Sequence, residues 1–209
     1  YGAVKFYHAC KETGIKPIIG CEVYIARRSR LDKEANIDSD QNHLILLAKN
    51  NNGYKNLMKL VTIASLEGFY YKPRIDLELL KKYSSDLICL TACINGYICE
   101  PLLAGRENEA EKKAKELMEI FGQNLYFELQ KHQRIKEQDL LNAKLIKLAE
   151  KLGVALVATN DCHYINQEDA EAQEILLCVQ TQKTILDKDR KLSMLDSPDF
   201  YLKSPAEMT

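Results

Sequence analysis

The sequence lacks both a long apolar run and an excess of charge of either sign. No apolar stretch in the 209 residues approaches the roughly 18 residues that a membrane-spanning helix needs, so we expect no membrane partner. Lys and Arg number 29 and Asp and Glu 30, which gives a net charge of −1. A protein whose whole surface binds DNA carries a clear basic excess. Any contact with nucleic acid is therefore expected to be local or to be made outside this chain.

Several motifs that would assign a chemistry directly are also missing. The sequence has seven cysteines, but none are in Cys-x-x-Cys spacing, and no secretory signal is present. An odd number of irregularly spaced cysteines favours a reducing, cytoplasmic compartment. There is no Walker phosphate loop, no Gly-x-Gly-x-x-Gly and no Gly-x-Ser-x-Gly. The chemistry must therefore be sought in individual polar residues.

The pattern of apolar residues predicts one α/β domain over residues 1–209. Hydrophobic residues make up 46% and charged residues 28%, a balance typical of globular proteins. Apolar strands bounded by helices predict a parallel sheet covered on both faces, either a barrel or a doubly wound open sheet. Asp76 is expected to cap one helix and Gly153 to end another. The predicted strands are 17–21, 43–48, 87–91, 125–129 and 154–158, and the predicted helices are 2–13, 54–66, 76–83, 95–104, 107–121, 136–152 and 168–180.

Polar residues that can bind metal follow four of the predicted strands. In parallel α/β folds, functional residues collect beyond the carboxyl ends of the strands. Asp161 and His163 are two residues apart, so in an extended segment they point the same way. Carboxylate, thiol and imidazole groups are the ligands of borderline or hard divalent metals. The residues at these strand ends are Glu22, Cys93, His132, Asp161 and His163.

This set of residues favours a two-metal centre for phosphoester chemistry. A carboxylate such as Glu22 can bridge two ions held roughly 4 Å apart. Such ions lower the pKa of a shared water and clamp a phosphate group. Arg74, predicted on a loop, is a candidate for binding that phosphate, although an internal carboxylate is an equal alternative. His132 is a second candidate substrate-binding residue.

Each candidate also has an ordinary structural interpretation. Glu22 alone fits a surface carboxylate, and Cys93 alone fits a small core residue. His132 lies in a polar stretch where it would simply be solvated. Asn160 and Asp161 are of the residue types that shape turns and cap helices. His43 opens its predicted strand, so its position alone indicates a core or rim histidine.

Four stretches in the same order resemble one known family. They are Gly14-Ile15-Lys16-Pro17-Ile18-Ile19-Gly20-Cys21-Glu22, His43-Leu44-Ile45-Leu46-Leu47-Ala48 with Gly53-Tyr54-Lys55-Asn56-Leu57, Thr91-Ala92-Cys93-Ile94-Asn95-Gly96, and Ala158-Thr159-Asn160-Asp161-Cys162-His163-Tyr164. Together they resemble the polymerase and histidinol phosphatase (PHP) domain of the bacterial DNA polymerase III alpha subunit. The stretches cover nearly the whole chain.

The resemblance implies a fold and a set of metal ligands. The fold is a distorted (β/α)7 TIM-like barrel that holds divalent metal ions, zinc or manganese, up to three in the complete domain. The matching ligands are Glu22, His43, Cys93, Asp161 and His163, of which Glu22, Asp161 and His163 are also the candidate catalytic residues. Glu22 would bridge two ions, and His43 and Cys93 would hold the second with it. Asp161 would serve the first ion and His163 the third.

The family pattern also has a part without counterpart here. Its opening His-x-His motif, a following Asp and an Asp-His pair precede the point in the pattern at which this sequence begins. The sequence starts at Tyr1 within a helical pattern and ends at Thr209 just after a predicted helix start. We therefore expect an internal fragment, with a barrel incomplete at its N-terminus and exposed strand edges.

Three functions remain open at this point. The first is part of a DNA-directed DNA polymerase, a nucleotidyltransferase, with a PHP domain resembling a metal-dependent 3′–5′ exonuclease used in proofreading. Its partners would be DNA through the full polymerase and other replicase subunits, such as the proofreading subunit and the sliding clamp. The second is a non-catalytic scaffold that stabilises the polymerase and docks a proofreading subunit. The third is a free-standing phosphoesterase. The isolated chain is expected to transfer no nucleotides.

Overall fold

The chain forms seven α-helices and six strands in the part that the structure describes. The computed structural model describes residues 2–39, 42–132, 135–187, 193, 195 and 197–208, so Tyr1 and Thr209 lie outside it. None of its helices is long and apolar enough to cross a membrane. The elements are α1 (Ala3–Glu12), β1 (Gly20–Ile25), β2 (Asn42–Ala48), α2 (Asn51–Leu66), β3 (Arg74–Ile75), α3 (Leu77–Tyr83), β4 (Leu87–Leu90), α4 (Cys99–Leu103), α5 (Glu107–Phe121), β5 (Leu125–Leu129), α6 (Lys136–Leu152), β6 (Ala155–Ala158) and α7 (Ala170–Thr181).

The six strands form one mixed sheet that does not close. Their order is β3-β1-β2-β4-β5-β6. The β1–β3, β4–β5 and β5–β6 pairs are parallel, whereas β2 pairs antiparallel with both β1 and β4. The prediction of an all-parallel sheet was therefore wrong at β2. The α/β class is confirmed, and the open sheet is consistent with part of a TIM-like barrel.

Local capping explains where several helices begin and end. The side chain of Asn50 accepts hydrogen bonds from the backbone N–H groups of Asn52 and Gly53, so α2 begins earlier than its predicted start at residue 54. Asp76 caps α3 by accepting from the N–H of Leu79, as predicted. Gly153 ends α6 with φ of 69°, a left-handed conformation that favours glycine.

The core packs against one face of the sheet and takes alternate residues from β1, β2, β4 and β5. Leu44 and Leu46 of β2 and Phe127 of β5 are fully buried there against side chains from α2 to α6. The prediction of helices on both faces is therefore not met within the described core. The opposite face carries Glu22 and His43, and this polar face is where the candidate site lies.

Two strands near the site differ from the prediction. The first strand was predicted at 17–21 with Glu22 following it, but β1 spans Gly20–Ile25 and places Glu22 inside the strand. Buried Val23 and Ile25 alternate with Glu22 and Tyr24, so the strand exposes its polar side chains on one face only. The two-residue strand β3 was missed, because so short a segment has no detectable alternation.

Arg74 lies in β3, not on a loop, and its side chain is completely buried. Its guanidinium donates hydrogen bonds to the backbone carbonyls of Gly68, Arg30, Asp32 and Asp38 at 2.8–3.3 Å. These donors are directed into the protein, so the predicted substrate-binding role does not fit this environment. Arg74 instead fastens the segment between β1 and β2 to the sheet.

Replacing Arg74 should release that segment. In Arg74→Met, four carbonyls lose their donor, and we expect a cost of about 3 kcal/mol. Hydrogen exchange followed by mass spectrometry should then be roughly 100-fold faster across residues 28–39. Arg27→Met is the matched control, because Arg27 is exposed, and it should leave the exchange unchanged. Equal hydrogen-exchange rates across residues 28–39 in the two variants would contradict the role of Arg74 in holding this segment.

The same segment contains an ion pair that makes a pH-dependent contribution. The guanidinium of Arg28 and the backbone N–H of Glu34 donate to the Asp38 carboxylate, which lowers the pKa of Asp38 to about 2. A lowered folded-state pKa stabilises the protein above the ordinary Asp pKa and loses that contribution as pH falls. The Tm gap between wild type and Asp38→Asn should therefore shrink between about pH 4 and pH 2. A constant gap would contradict this account.

Candidate metal centre

The reversed direction of β2 brings His43 to the functional edge of the sheet. His43 lies at the beginning of β2, and Tyr24, near the end of β1, is its direct partner. Because β2 is antiparallel, its beginning lies at the same edge as the carboxyl ends of the parallel strands. Its backbone also bridges to Gly96, in the loop after β4. The position that seemed to exclude His43 from the site is thus the one that places it there.

His43 and Cys93 form a close pair. The Nε2 atom of His43 lies 3.2 Å from the Sγ atom of Cys93. A tight turn presents the thiol, since the N–H of Gly96 donates to the Cys93 carbonyl at 2.8 Å. Ala92, immediately before Cys93, has φ of 61°, so the turn begins with a left-handed residue. Imidazole and thiolate are both preferred zinc ligands.

Asp161 and His163 form a second pair in the loop after β6. The Nδ1 atom of His163 lies 2.7 Å from the backbone carbonyl of Asp161, and Asp161 has φ of 48°. The chain tail fixes this loop, because the N–H of His163 donates to the carbonyl of Phe200 at 2.7 Å. The His163 ring also meets the Phe200 ring edge-on at 5.3 Å. Both predicted residues are therefore held in one constrained loop.

Glu22 lines an open cavity beside His43. The cavity has a volume of about 930 Å³ and is polar. Four basic residues line it, and two of them, Arg106 and Lys113, form ion pairs with Glu100 or Glu109. The lining residues are Glu22, Tyr24, Arg27, Asn42, His43, Lys72, Asn95, Glu100, Arg106, Glu109 and Lys113.

Burial and nearby carboxylates shift the pKa values of His43 and Cys93. Burial lowers the pKa of His43, while the charges of Glu22 and Asp161 act in the opposite direction. Burial, together with the nearby charges of Asp161 and Glu22, raises the pKa of the Cys93 thiol to about 11. The pair is therefore neutral without metal. A bound cation would reverse the preference of the thiol, because a coordinating thiol loses its proton.

His132 is buried, with 2% of its surface exposed. Its ring stacks on Phe200 with centroids 4.1 Å apart, and neither ring nitrogen has a hydrogen-bond partner among the described residues. The interpretation of His132 as a solvated residue was wrong. A buried imidazole is normally hydrogen-bonded, so the two ring nitrogens of His132 stand out among the described residues.

The side chains fit a divalent metal in type, but they converge only in part. His43 and Cys93 are adjacent, and Glu22 and Asp161 are close enough to shift the pKa values of both. Across residues 2–39, 42–132, 135–187 and 197–208, however, no three His, Cys, Asp or Glu side chains already form a group that could hold an ion. By their chemistry, these imidazole, thiol and carboxylate groups nevertheless suit zinc or manganese. Closing around an ion would require further movement of these side chains.

Comparison with known proteins assigns the fold to a family. The family model described as "PHP domain" matches residues 1–132. The chain belongs to the PHP domain family. It is 48% identical over its whole length to "DNA polymerase III subunit alpha" of Borreliella burgdorferi, 47% to that of Treponema pallidum and 44% to that of Aquifex aeolicus. The resemblance found in the sequence motifs is confirmed.

The chain corresponds to a small part of each of these relatives. The chain spans 18% of the length of each of the three proteins. The family match includes Glu22, His43, Cys93 and His132, whereas Asp161 and His163 lie beyond its end. The similarity to the alpha subunits covers all six residues, because it extends over the full chain.

Two kinds of residue at the PHP site were missed in the sequence. Glu128 is a buried carboxylate within β5, and a charge inside the apolar stretch Leu125–Leu129 was the available indication. Lys72 lies with its Nζ atom 3.9 Å from the Tyr24 ring centroid, beside Glu22 in the cavity. Neither Lys72 nor Arg27 has a carboxylate within 4 Å in the described part of the chain.

Gly96 should be essential to the turn that presents Cys93. A Cβ atom at this position would lie 2.1 Å from the Thr91 carbonyl oxygen and 2.9 Å from the Cys93 oxygen, both backbone atoms. Gly96→Ala should therefore destabilise the protein by about 1–3 kcal/mol, measured as a lower Tm. Asn95→Ala, in the same turn but with an exposed side chain, should change stability by less than about 0.5 kcal/mol. Equal Tm values for the two variants would contradict the steric argument.

Proposed function

We propose that the chain is the PHP domain of a bacterial DNA polymerase III alpha subunit and contributes a metal-dependent phosphoesterase site acting on DNA 3′ ends. Glu22, His43, Cys93, Asp161 and His163 are the proposed ligands. The observation that carries the proposal is the 3.2 Å approach of His43 Nε2 to Cys93 Sγ, beside a polar cavity that contains Glu22. The two side chains come from the beginning of β2 and from the loop after β4, 50 residues apart in the sequence.

The proposed ligands supply nitrogen, sulfur and oxygen donors from different parts of the sheet edge. His43 lines the cavity and supplies a nitrogen donor, Cys93 supplies sulfur 3.2 Å from it, and Glu22 supplies a carboxylate from β1. Asp161 and His163 supply oxygen and nitrogen from the loop after β6, which is separated from β4 in the sheet by β5. Zinc or manganese bound here would activate water and neutralise phosphate charge. The catalytic role proposed for Glu22, Asp161 and His163 is to orient the reacting groups around that centre.

Lys72 and Arg27 are the residues that we propose contact the substrate strand. Both line the cavity and have no carboxylate partner within 4 Å in the described ranges. Their charges can therefore neutralise backbone phosphates, which supply most of the sequence-independent affinity for DNA. Tyr24, beneath Lys72, offers an aromatic face for a base. This local patch suits a chain whose net charge is only −1.

Nucleotide transfer is assigned to the rest of the alpha subunit. We propose that this domain works in the cytoplasm within the polymerase and that its partners are DNA, the proofreading subunit and the sliding clamp. The isolated chain would then incorporate no dNTPs. The alpha subunits that it resembles are about five times longer, since the chain spans 18% of them.

A non-catalytic scaffold is the second candidate. The absence of a preformed three-ligand group within the described residues favours it, because a dedicated metal site is commonly prearranged. As a scaffold, the domain would stabilise the polymerase and dock a proofreading subunit. Metal binding without hydrolysis of DNA would support this alternative.

Metal analysis of the full-length protein tests the proposal. Wild type, purified without chelator, should retain zinc or manganese by plasma mass spectrometry. Glu22→Gln/Asp161→Asn should bind metal more than about 100-fold more weakly, a larger loss than removal of a supporting residue causes. Removal of a 3′-labelled nucleotide from single-stranded DNA should fall in parallel.

The control variant changes the same number of charges elsewhere. Glu119→Gln/Glu171→Gln replaces two exposed carboxylates on α5 and α7, and it should retain metal and nuclease activity. A folded wild-type protein that binds neither zinc nor manganese would refute the proposal. Equal metal loss in the two double variants would show that the effect is one of net charge.

A further inference from the structure

Glu128 is a buried carboxylate that belongs to none of the proposed ligands. It lies near the end of β5 on the polar face of the sheet, with 4% of its surface exposed. Its neighbours in the sheet are β4, which leads to Cys93, and β6, which leads to Asp161. The Glu128 side chain therefore lies between the two loops that carry the proposed ligands.

Each oxygen of the Glu128 carboxylate accepts a hydrogen bond from a different loop. Oε2 accepts from the backbone N–H of Ala92 at 2.8 Å, one residue before Cys93. Oε1 accepts from the hydroxyl of Thr159, two residues before Asp161. One side chain thus joins the loop after β4 to the loop after β6.

The two loops that Glu128 connects each contain a residue in an unfavourable backbone conformation. Ala92 has φ of 61° and Asp161 has φ of 48°, so each loop contains a non-glycine residue in the left-handed region. Such conformations persist when the surrounding contacts hold them. The hydrogen bond to Ala92 acts directly on one of these residues, and the bond to Thr159 acts on the chain entering the other.

We propose that Glu128 is a positioning residue whose carboxylate fixes the separation between Cys93 and Asp161, and so between the two halves of the metal centre. The inference rests on the proposed function, because it assigns Cys93 and Asp161 as ligands. Glu128 touches neither the metal nor the substrate in this role.

The chemistry of the two donors explains why a glutamate is needed. The Ala92 N–H can only donate, and the Thr159 hydroxyl points its donor at the other oxygen. A carboxylate has two acceptor oxygens and no donor, whereas an amide has one oxygen and an NH₂ group. Glu128→Gln keeps the shape of the side chain, but its NH₂ group would face the Thr159 hydroxyl, which already accepts from the side-chain amide of Gln130. The hydroxyl proton would lose its carboxylate acceptor, and the stronger charge-assisted bond to this loop would be lost.

The test uses the full-length protein and cobalt(II) as the probe metal. In Glu128→Gln, cobalt affinity should fall about 10- to 100-fold, the effect expected for a residue that supports ligands. The sulfur-to-cobalt absorption band from Cys93 should also shift or weaken. Thr159→Val, which removes one donor, should reproduce the affinity loss. Thr159→Ser, which keeps the hydroxyl, should bind cobalt as tightly as wild type.

Phe127→Leu separates positioning from stability. Phe127 is adjacent to Glu128 but fully buried on the opposite face of the sheet. The Phe127→Leu variant should lower the Tm while leaving cobalt affinity and the absorption band unchanged. If Phe127→Leu loses cobalt affinity as strongly as Glu128→Gln, the role of Glu128 is only structural and the proposal is overturned.

A readout without metal distinguishes failure of this inference from failure of the proposed function. Alkylation of Cys93 by iodoacetamide, followed by peptide mass spectrometry, should be several-fold faster in metal-free Glu128→Gln than in wild type or Phe127→Leu. If wild type binds no cobalt but alkylation still responds, the metal centre fails and the loop connection stands. Unchanged cobalt binding and alkylation in Glu128→Gln would overturn the inference.

Discussion

The antiparallel pairing of β2 with β1 and β4 is the constraint on which the candidate site depends. In the register of the sheet, Tyr24 opposes His43 and Ile45 opposes Leu90. Reversing β2 would move His43 to the other edge, a strand length of about 20 Å away from Cys93. One strand direction therefore decides whether the imidazole and the thiol can meet.

Alternation along the strands then assigns each side chain its environment. Leu44, Leu46 and Phe127 point into the core, where burial of apolar surface stabilises the sheet. The residues between them, including His43 and Glu128, point to the opposite face. A slip of one residue would bury the polar set and expose the apolar set. The core that stabilises the fold thus also fixes which side chains reach the site.

The polar face is held together by hydrogen bonds rather than by packing. Glu128 connects the loops after β4 and β6, and Arg74 fastens the segment between β1 and β2 through the backbone carbonyls of Arg30, Asp32 and Asp38. Both residues are buried charged groups whose partners are polar atoms from distant parts of the chain. This arrangement holds His43 beside Cys93 and Asp161 beside His163, and any further convergence of the proposed ligands would depend on the ion that they bind.

The sequence by itself determined the α/β class, the helices from α1 to α7 to within a few residues, and the family, and it indicated the residues that we propose as ligands. These depend on local properties: apolar periodicity, capping residues such as Asp76, and short motifs around Cys93 and Asp161. Only the tertiary structure decided the direction of β2, the burial of Arg74 and His132, and the connection made by Glu128. Strand direction and burial depend on contacts between residues far apart in the chain, and no local pattern of residues contains that information.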